Sequence, residues 1–383
     1  MADTAPAVSV KVSLKEVAAL TTDRQMCGVR FSPVTGLMSS GSYDATIRFW
    51  RKVETMPEGE SVPPVKGAKG DSTNGWRELP PVTGHRGWVE GLAFSADGSK
   101  LFTGDTWGRL SCRRVEVAEG RDVTVSPEWE VTDAHDGWLR EVSLSPDGGT
   151  LATCGRDGRL KLWNSSDGSL RQQMERPGRD LFAVRFHPTE SSVVCGDGFG
   201  EVIIWGTDGT QQRTFDASDL FLEHRLQQVG GVRRMVFSPD GQTLAVGGTR
   251  PKNGGSVQGK PVVLLFNWKT GDKRLIELGS DSDVSVQDMQ FLSEGLLLVV
   301  TSGSPGTGQV LCVDPGSGSV LLTEKKLANC HGVSLSSDGR HCVVTATNKG
   351  SNGNGRRLDD TGEYPGNWSP IHLFEISVEQ MES

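Results

Sequence analysis

His135, Thr153 and Asp157 are residue types that can do chemistry together. A His between a carboxylate and a hydroxyl is the arrangement of a general base beside a nucleophile, so His135 and Asp157 form a candidate catalytic pair. A second constellation recurs as Thr103-Gly104-Asp105-Thr106-Trp107 and Cys195-Gly196-Asp197-Gly198-Phe199. Each has an Asp two residues before an aromatic. Paired carboxylates can serve a metal or acid–base chemistry, but Asp at such a turn more commonly caps it locally, and capping is the expected role. The His residues at 85, 135, 187, 224, 331, 341 and 372 have no metal-ligand spacing. No zinc-protease helix motif, nucleophile elbow or phosphate-cradling Gly-Lys-Ser/Thr stretch is present. His187 lies in FHPTE, where a Ser is usual, and is expected to be solvated at a surface turn. The Cys residues at 27, 112, 154, 195, 312, 330 and 342 include no Cys-x-x-Cys, and most sit in apolar runs. That usage fits small hydrophobes in a reducing compartment better than disulfides or zinc. No metal or cofactor is expected.

The elements that would position these residues follow from composition and repetition. The chain has 383 residues, 35% of them hydrophobic, and 49 Gly. That mix suits many short strands joined by tight turns. The formal net charge of −8 argues against general attraction to nucleic acid or anionic lipid. The opening MADTAPAVSV lacks the basic-then-apolar pattern of a secretory signal, and no apolar run approaches membrane-spanning length. A cytoplasmic protein with no membrane association is the default expectation.

LSPDG from Leu144 has counterparts at FSPVTG (Phe31), FSADG (Phe94), FHPTE (Phe186), FSPDG (Phe237), FLSEG (Phe291) and LSSDG (Leu335). Successive intervals are 63, 50, 42, 51, 54 and 44 residues, at or a little above the period of about 40–50 residues of propeller blades, apart from the first, which contains the long insertion at 53–75. Each segment ends an alternating strand and enters a turn. A second strand follows, such as TLATCG, then a third, such as RLKLW or EVIIW, then a more polar fourth, such as SLRQQM. A lone four-stranded meander cannot bury both faces, whereas a radial array can.

These units resemble those of the WD-repeat β-propeller family. In that family a His, a Ser or Thr, an Asp and a Trp form a hydrogen-bonded tetrad within a blade. The third unit matches in full with His135, Thr153, Asp157 and Trp163. The first matches with Ser40, Asp44 and Trp50 but has no His; the second has Gly84-His85 and Thr103, with Trp107 at the Asp position and Arg113 at the Trp position. The fourth keeps Trp205 and has Phe199 at the Asp position, and the last three place Phe266, Val313 and Phe374 where the Trp belongs. The resemblance implies an all-β, seven-bladed β-propeller of four-stranded antiparallel blades over residues 1–383, as one domain. It also gives His135 and Asp157 a structural use in place of catalysis: each net hydrogen bond contributes about 0.5–1.5 kcal/mol.

The final unit has three strands, near HGVSLS, HCVVTA and PIHLFEI, and the N-terminus has a spare one, VSVKVSLKEV at 8–17. The N-terminal strand is therefore expected to close the last blade and remove its sheet edge. Insertions are read at 53–75, 218–231, 249–260 and 348–369, with a short helix at Leu220 to Gln228 capped by Ser218 or Asp219. In this architecture the last three of these lie on the face that carries the loops between second and third strands, called the top.

Carried over position by position, the resemblance places Tyr43, Trp88, Glu90, Trp138, Arg140 and Arg156 on the top rim, with Asp180, Phe182 and Arg233 at the same offsets. Trp, Tyr and Arg are the commonest binding hot spots, and Arg beside Trp suits an acidic or aromatic peptide segment. The expectation is a non-enzymatic scaffold, a monomeric propeller within a complex, that binds a protein or peptide partner on its top face. The alternative is a propeller enzyme, with a hydrolase as one option, or a small-ligand binder, with its site in the central channel.

Overall fold

The computed structural model describes residues 9–53, 73–118, 123–224, 227–252, 259–303, 306–325, 327–348 and 368–381. These form seven four-stranded antiparallel sheets and one two-stranded hairpin. The first strands of the seven sheets are Met26–Phe31, Val89–Phe94, Leu139–Leu144, Leu181–Phe186, Val232–Phe237, Ser285–Phe291 and Gly332–Leu335. Each touches the first strands of the blades on either side, and Met26–Phe31 touches Gly332–Leu335, so the ring is closed.

The core is divided among the blade interfaces. Each of seven apolar clusters joins two consecutive blades. Ala152, Cys154, Leu160 and Leu162 of blade three, for example, pack on Leu181, Val184, Phe186 and Val193 of blade four. Second strands such as Thr150–Gly155 are buried on both faces, which is why they are continuous apolar runs rather than alternating ones.

The N-terminal strand closes the ring as expected, and it is longer than the sequence indicated. It runs Ser9–Thr21 and pairs antiparallel with Pro370–Met381, with a bulge between Glu16 and Ala18. Val12, Ala18 and Leu20 are buried by this pairing.

One motif repeats at the turn after the first strand. In blade three, Asp147 Oδ1 accepts from the Ser145 hydroxyl and the Gly149 N–H. Asp97, Asp240 and Asp338 do the same in blades two, five and seven. The next residue is Gly148, at φ 72°, a left-handed conformation that Gly adopts without steric cost.

His187 takes this role in blade four, contrary to the solvated position expected from its turn. It is 2% exposed. Its Nδ1 accepts from the N–H groups of Thr189 and Glu190, so Nε2 carries the proton and donates to the Gly241 carbonyl of the next blade. Phe237 and Trp268 cover the ring at 4.8 and 4.7 Å. The imidazole is buried because it bridges two blades.

The insertion at 218–231 is not a helix. Ser218–Leu220 is a single 3-10 turn, and Phe221–His224 pairs with Gln227–Gly230 as a hairpin. The Gly231 N–H donates to the Leu220 carbonyl and Leu220 is fully buried. With both ends pinned together the two arms lie side by side, which favours cross-strand pairing over a helix. The insertion at 249–260 is partly strand, since Thr249, Arg250 and Pro251 pair with Pro261, Lys260 and Gly259. Most of the insertions at 53–75 and 348–369 lie outside the described residues. Among the described residues, no helix is long and apolar enough to cross a membrane.

Candidate functional site: the top face and the channel mouth

Blade three contains the full tetrad geometry. His135 Nδ1 is 2.9 Å from Asp157 Oδ1 and Nε2 is 2.7 Å from Thr153 Oγ1, which also accepts from Trp163 Nε1 at 2.8 Å. Burial lowers the His135 pKa against the pull of Asp157, so the ring is neutral near pH 7. Both ring nitrogens are engaged and the side chain is wholly buried. The imidazole therefore has no exposed face.

Blade two builds the same hydrogen bonds from different positions. His85 meets Thr103 at 2.8 Å, but its carboxylate is Asp105, at 2.9 Å, two residues earlier than alignment with Asp157 indicates. Asp105 stands where blade three has Gly155. A Cβ on Gly155 would lie 2.7 Å from His135 Nδ1, so a side chain at this position is aimed at the His. Asp105 Oδ1 accepts from the Trp107 and Arg109 N–H groups. Its Oδ2 accepts from Arg86 N–H as well as facing His85. Ser111, 2.9 Å from Thr103, occupies the hydroxyl contact that Trp163 makes in blade three. Asp197 repeats the device in blade four: Oδ1 caps Phe199 and Glu201, and Oδ2 pairs with Arg179 at 2.8 Å. These Asp residues therefore cap turns, as expected, and also hold the incoming loop.

Blade one does not assemble a tetrad. The Ser40 hydroxyl donates to the Gly28 carbonyl, Asp44 binds Thr46 and Arg48, and Trp50 is buried in the core. Without a His, no imidazole links Ser40 to Asp44.

The rim residues arise from a repeated irregularity of the inner strands. A register shift occurs at Glu90, Arg140, Phe182, Arg233 and Gln287, and at Cys27-Gly28 in blade one. Bulges re-aim side chains, and here the bulged residues from six blades all line one cavity of about 150 Å³ at the channel mouth, with Tyr43, Arg234 and His331.

The side chains above it form a continuous run of rings and guanidiniums. Tyr43 stacks on Trp88 at 4.4 Å, and Trp88 lies 5.8 Å from Trp138. The Arg140 guanidinium is 4.1 Å from Trp138 and 4.6 Å from Phe182, and Arg233 covers Phe182 at 4.4 Å. Beside this run, Tyr43, Ala45, Gly87, Trp88, Trp107 and Trp138 line an open cleft of about 470 Å³. Trp88 is 39% and Trp107 69% exposed.

Charge at the channel mouth is unbalanced. Burial raises the Glu90 carboxyl, although Arg140, Arg234 and Arg233 pull it down. Burial depresses Arg140, opposed by Glu90 and by Asp180 at 3.6 Å. Burial, then Arg140 and Arg234, lower Arg233 to about 10. Burial also opposes charge on Arg234, but Glu141, Asp288 and Glu90 outweigh it and raise its pKa. His331 falls to about 4, through burial and then Arg234, and is neutral at pH 7. Among the described residues no group of three or more His, Cys, Asp or Glu is placed to hold a metal.

Below this layer the inner strands, whose channel-facing backbone has no further strand to pair with, are tied by side chains. Glu141 and Ser143 accept from Val184 and Phe186 N–H; Asp288 and Gln290 accept from Val333 and Leu335; Ser334 accepts from Phe31. Arg30 and Arg185 pair with Asp288 and Glu141 at 2.9 and 2.7 Å. Buried backbone donors are thereby satisfied blade to blade.

Tyr43, Trp88, Glu90, Trp138, Arg140, Phe182 and Arg233 therefore come together. Arg156 is exposed and outside both the cavity and the cleft. Sequence reasoning missed Trp107 as a rim residue, because it was aligned with the tetrad Asp, and it missed Arg234 and His331. The repeated bulge positions were the available signal for Arg234, one residue past Arg233.

The family model for the WD domain, G-beta repeat, matches residues 15–51, 76–112 and 128–164. Each match runs from the outer strand of one blade through the third strand of the next. A comparison with curated proteins finds no match. Three matched repeats within a closed ring of seven four-stranded blades place this chain in the WD40 repeat family of β-propellers.

Proposed function

We propose that the chain is a non-enzymatic scaffold that docks a protein or peptide partner on the top face of the propeller. WD-repeat propellers commonly serve as interaction scaffolds and are typically not enzymes. The contact residues in this reading are Tyr43, Trp88, Glu90, Trp138, Arg140, Phe182 and Arg233, with Trp107 added and Arg156 at the margin. The observation that carries it is the run of stacked rings and guanidiniums from Tyr43 to Arg233, ending beside two exposed Trp side chains. Exposed aromatics on an otherwise rigid rim are characteristic of interaction sites.

The test is affinity purification from lysate with the intact chain and with a Trp88→Ala/Trp107→Ala variant, each checked by its melting curve. Loss of specific co-purifying proteins with an unchanged melt supports the reading. An unchanged set of captured proteins overturns it.

A further inference from the structure

Three guanidiniums, Arg140, Arg233 and Arg234, border the channel-mouth cavity with a single carboxylate, Glu90, among its lining residues. Arg234 is compensated from below, where Glu141 and Asp288 offset its burial. Arg140 has Asp180. Arg233 has no carboxylate within ion-pair distance among the described residues; the Phe182 ring covers it, and the pull of Glu90 and Asp180 is outweighed by burial and by the like charges of Arg140 and Arg234. The Nε–H of Arg140 is buried without an acceptor, whereas that of Arg234 faces Asp288 at 4.0 Å, beyond hydrogen-bond distance. Unpaired guanidiniums and orphaned buried donors are costly in the free protein and become favourable when an anion arrives.

We propose that this cavity receives one carboxylate side chain of a docked peptide, held between Arg140 and Arg233. This deepens the docking reading and rests on it. The cavity, at about 150 Å³, holds one small group and no more. Tyr43 lines both this cavity and the open cleft by Trp88 and Trp107, so the two sites share a wall. A segment with an acidic residue beside an aromatic one places the acid in the cavity and the ring in the cleft. Glu90 lines the cavity, Arg140 already has Asp180 and Arg234 has Asp288, so Arg233 is the one lining guanidinium without an ion pair among the described residues; one uncompensated charge matches a monoanion, and a carboxylate is assigned over a phosphate.

Fluorescence polarisation of labelled peptides on the full chain tests this. The probes are Gly-Glu-Trp-Gly, its Gln counterpart and its phosphoserine counterpart. The Glu peptide is expected to bind about tenfold more tightly than the Gln peptide, with the difference shrinking as salt rises. Arg233→Gln removes no ion pair, so it is expected to fold, and it should abolish the Glu-over-Gln preference. Arg140→Gln should weaken the same preference. Equal binding of Glu and Gln peptides, a preference that survives Arg233→Gln, tighter binding of the phosphoserine peptide, or binding of none of the three overturns the proposal. If the Glu preference is lost while partner capture still depends on Trp88 and Trp107, the carboxylate assignment fails and docking stands. If the preference is present while capture ignores both Trp residues, the docking reading fails instead.

Discussion

Asp105 lies 2.9 Å from His85, from a position two residues earlier in its turn than the carboxylate that holds His135. Two consecutive blades thus arrive at one hydrogen-bonded arrangement by different routes. Burial works to raise the Asp105 pKa, but His85 and the N–H groups of Arg86 and Arg109 outweigh it and hold it down at about 2.

A depressed carboxylate contributes stability that is present above its unfolded pKa of about 3.9 and is lost as pH falls through its folded value. Asp105→Asn is therefore expected to lower stability at pH 7 by about 2 kcal/mol. The deficit relative to wild type should narrow between about pH 4 and pH 2. Urea unfolding across that range measures both, and a constant deficit would assign the stabilisation to other groups.

Removal of residues 1–21 takes away the strand that pairs with Pro370–Met381. It strips cover from the apolar layers that contain Val12, Ala18 and Leu20. The truncated chain should melt well below the intact one and aggregate, because the uncovered strand is an open sheet edge. Coincident melting curves would show that blade seven holds with three strands.

His187→Ser restores the residue usual at this turn and should nonetheless destabilise the protein. The substitution keeps a turn acceptor but loses the bond to Gly241 and the packing on Phe237 and Trp268. A loss of about 2 kcal/mol in chemical denaturation is expected, from a cavity and an unmet carbonyl.

All seven Cys are buried, and burial pushes every thiol up, those of Cys112, Cys195, Cys312, Cys330 and Cys342 to about 12. Since the thiolate is the reactive species, iodoacetamide should modify the native chain very slowly. Cys27, 7% exposed and lining the channel mouth, should react first. Peptide mass mapping against the denatured chain reads the order.

Arg140→Met keeps the stem but removes the charge shared between Trp138 and Phe182. About 1 kcal/mol of stability should be lost, a deficit that denaturant melts resolve. A stabilised variant would mean that burying the guanidinium costs more than its two ring contacts return.

The repeat was legible without coordinates, because a turn that needs Ser, Asp and Gly at fixed offsets leaves those letters in the chain. So was the closure by the N-terminal strand, since a three-stranded last unit and an unpartnered alternating segment demand each other. The tetrad of blade three could be read for the same reason: its four members keep a fixed spacing. The second tetrad could not, because Asp105 reaches His85 from an unusual register, and spacing alone does not say where a side chain points. The burial of His187 depended on Gly241, 54 residues further along. Offsets carried over from the family placed most of the rim, but not its charge state: Arg234 is balanced from blades three and six, while Arg233 has no ion-pair partner among the described residues and its like-charged neighbours outweigh Glu90 and Asp180. Local order determined the blades, their turns and their count; only closure of the ring, which brings residues hundreds of positions apart to one channel, decided which groups are paired across it and which are not.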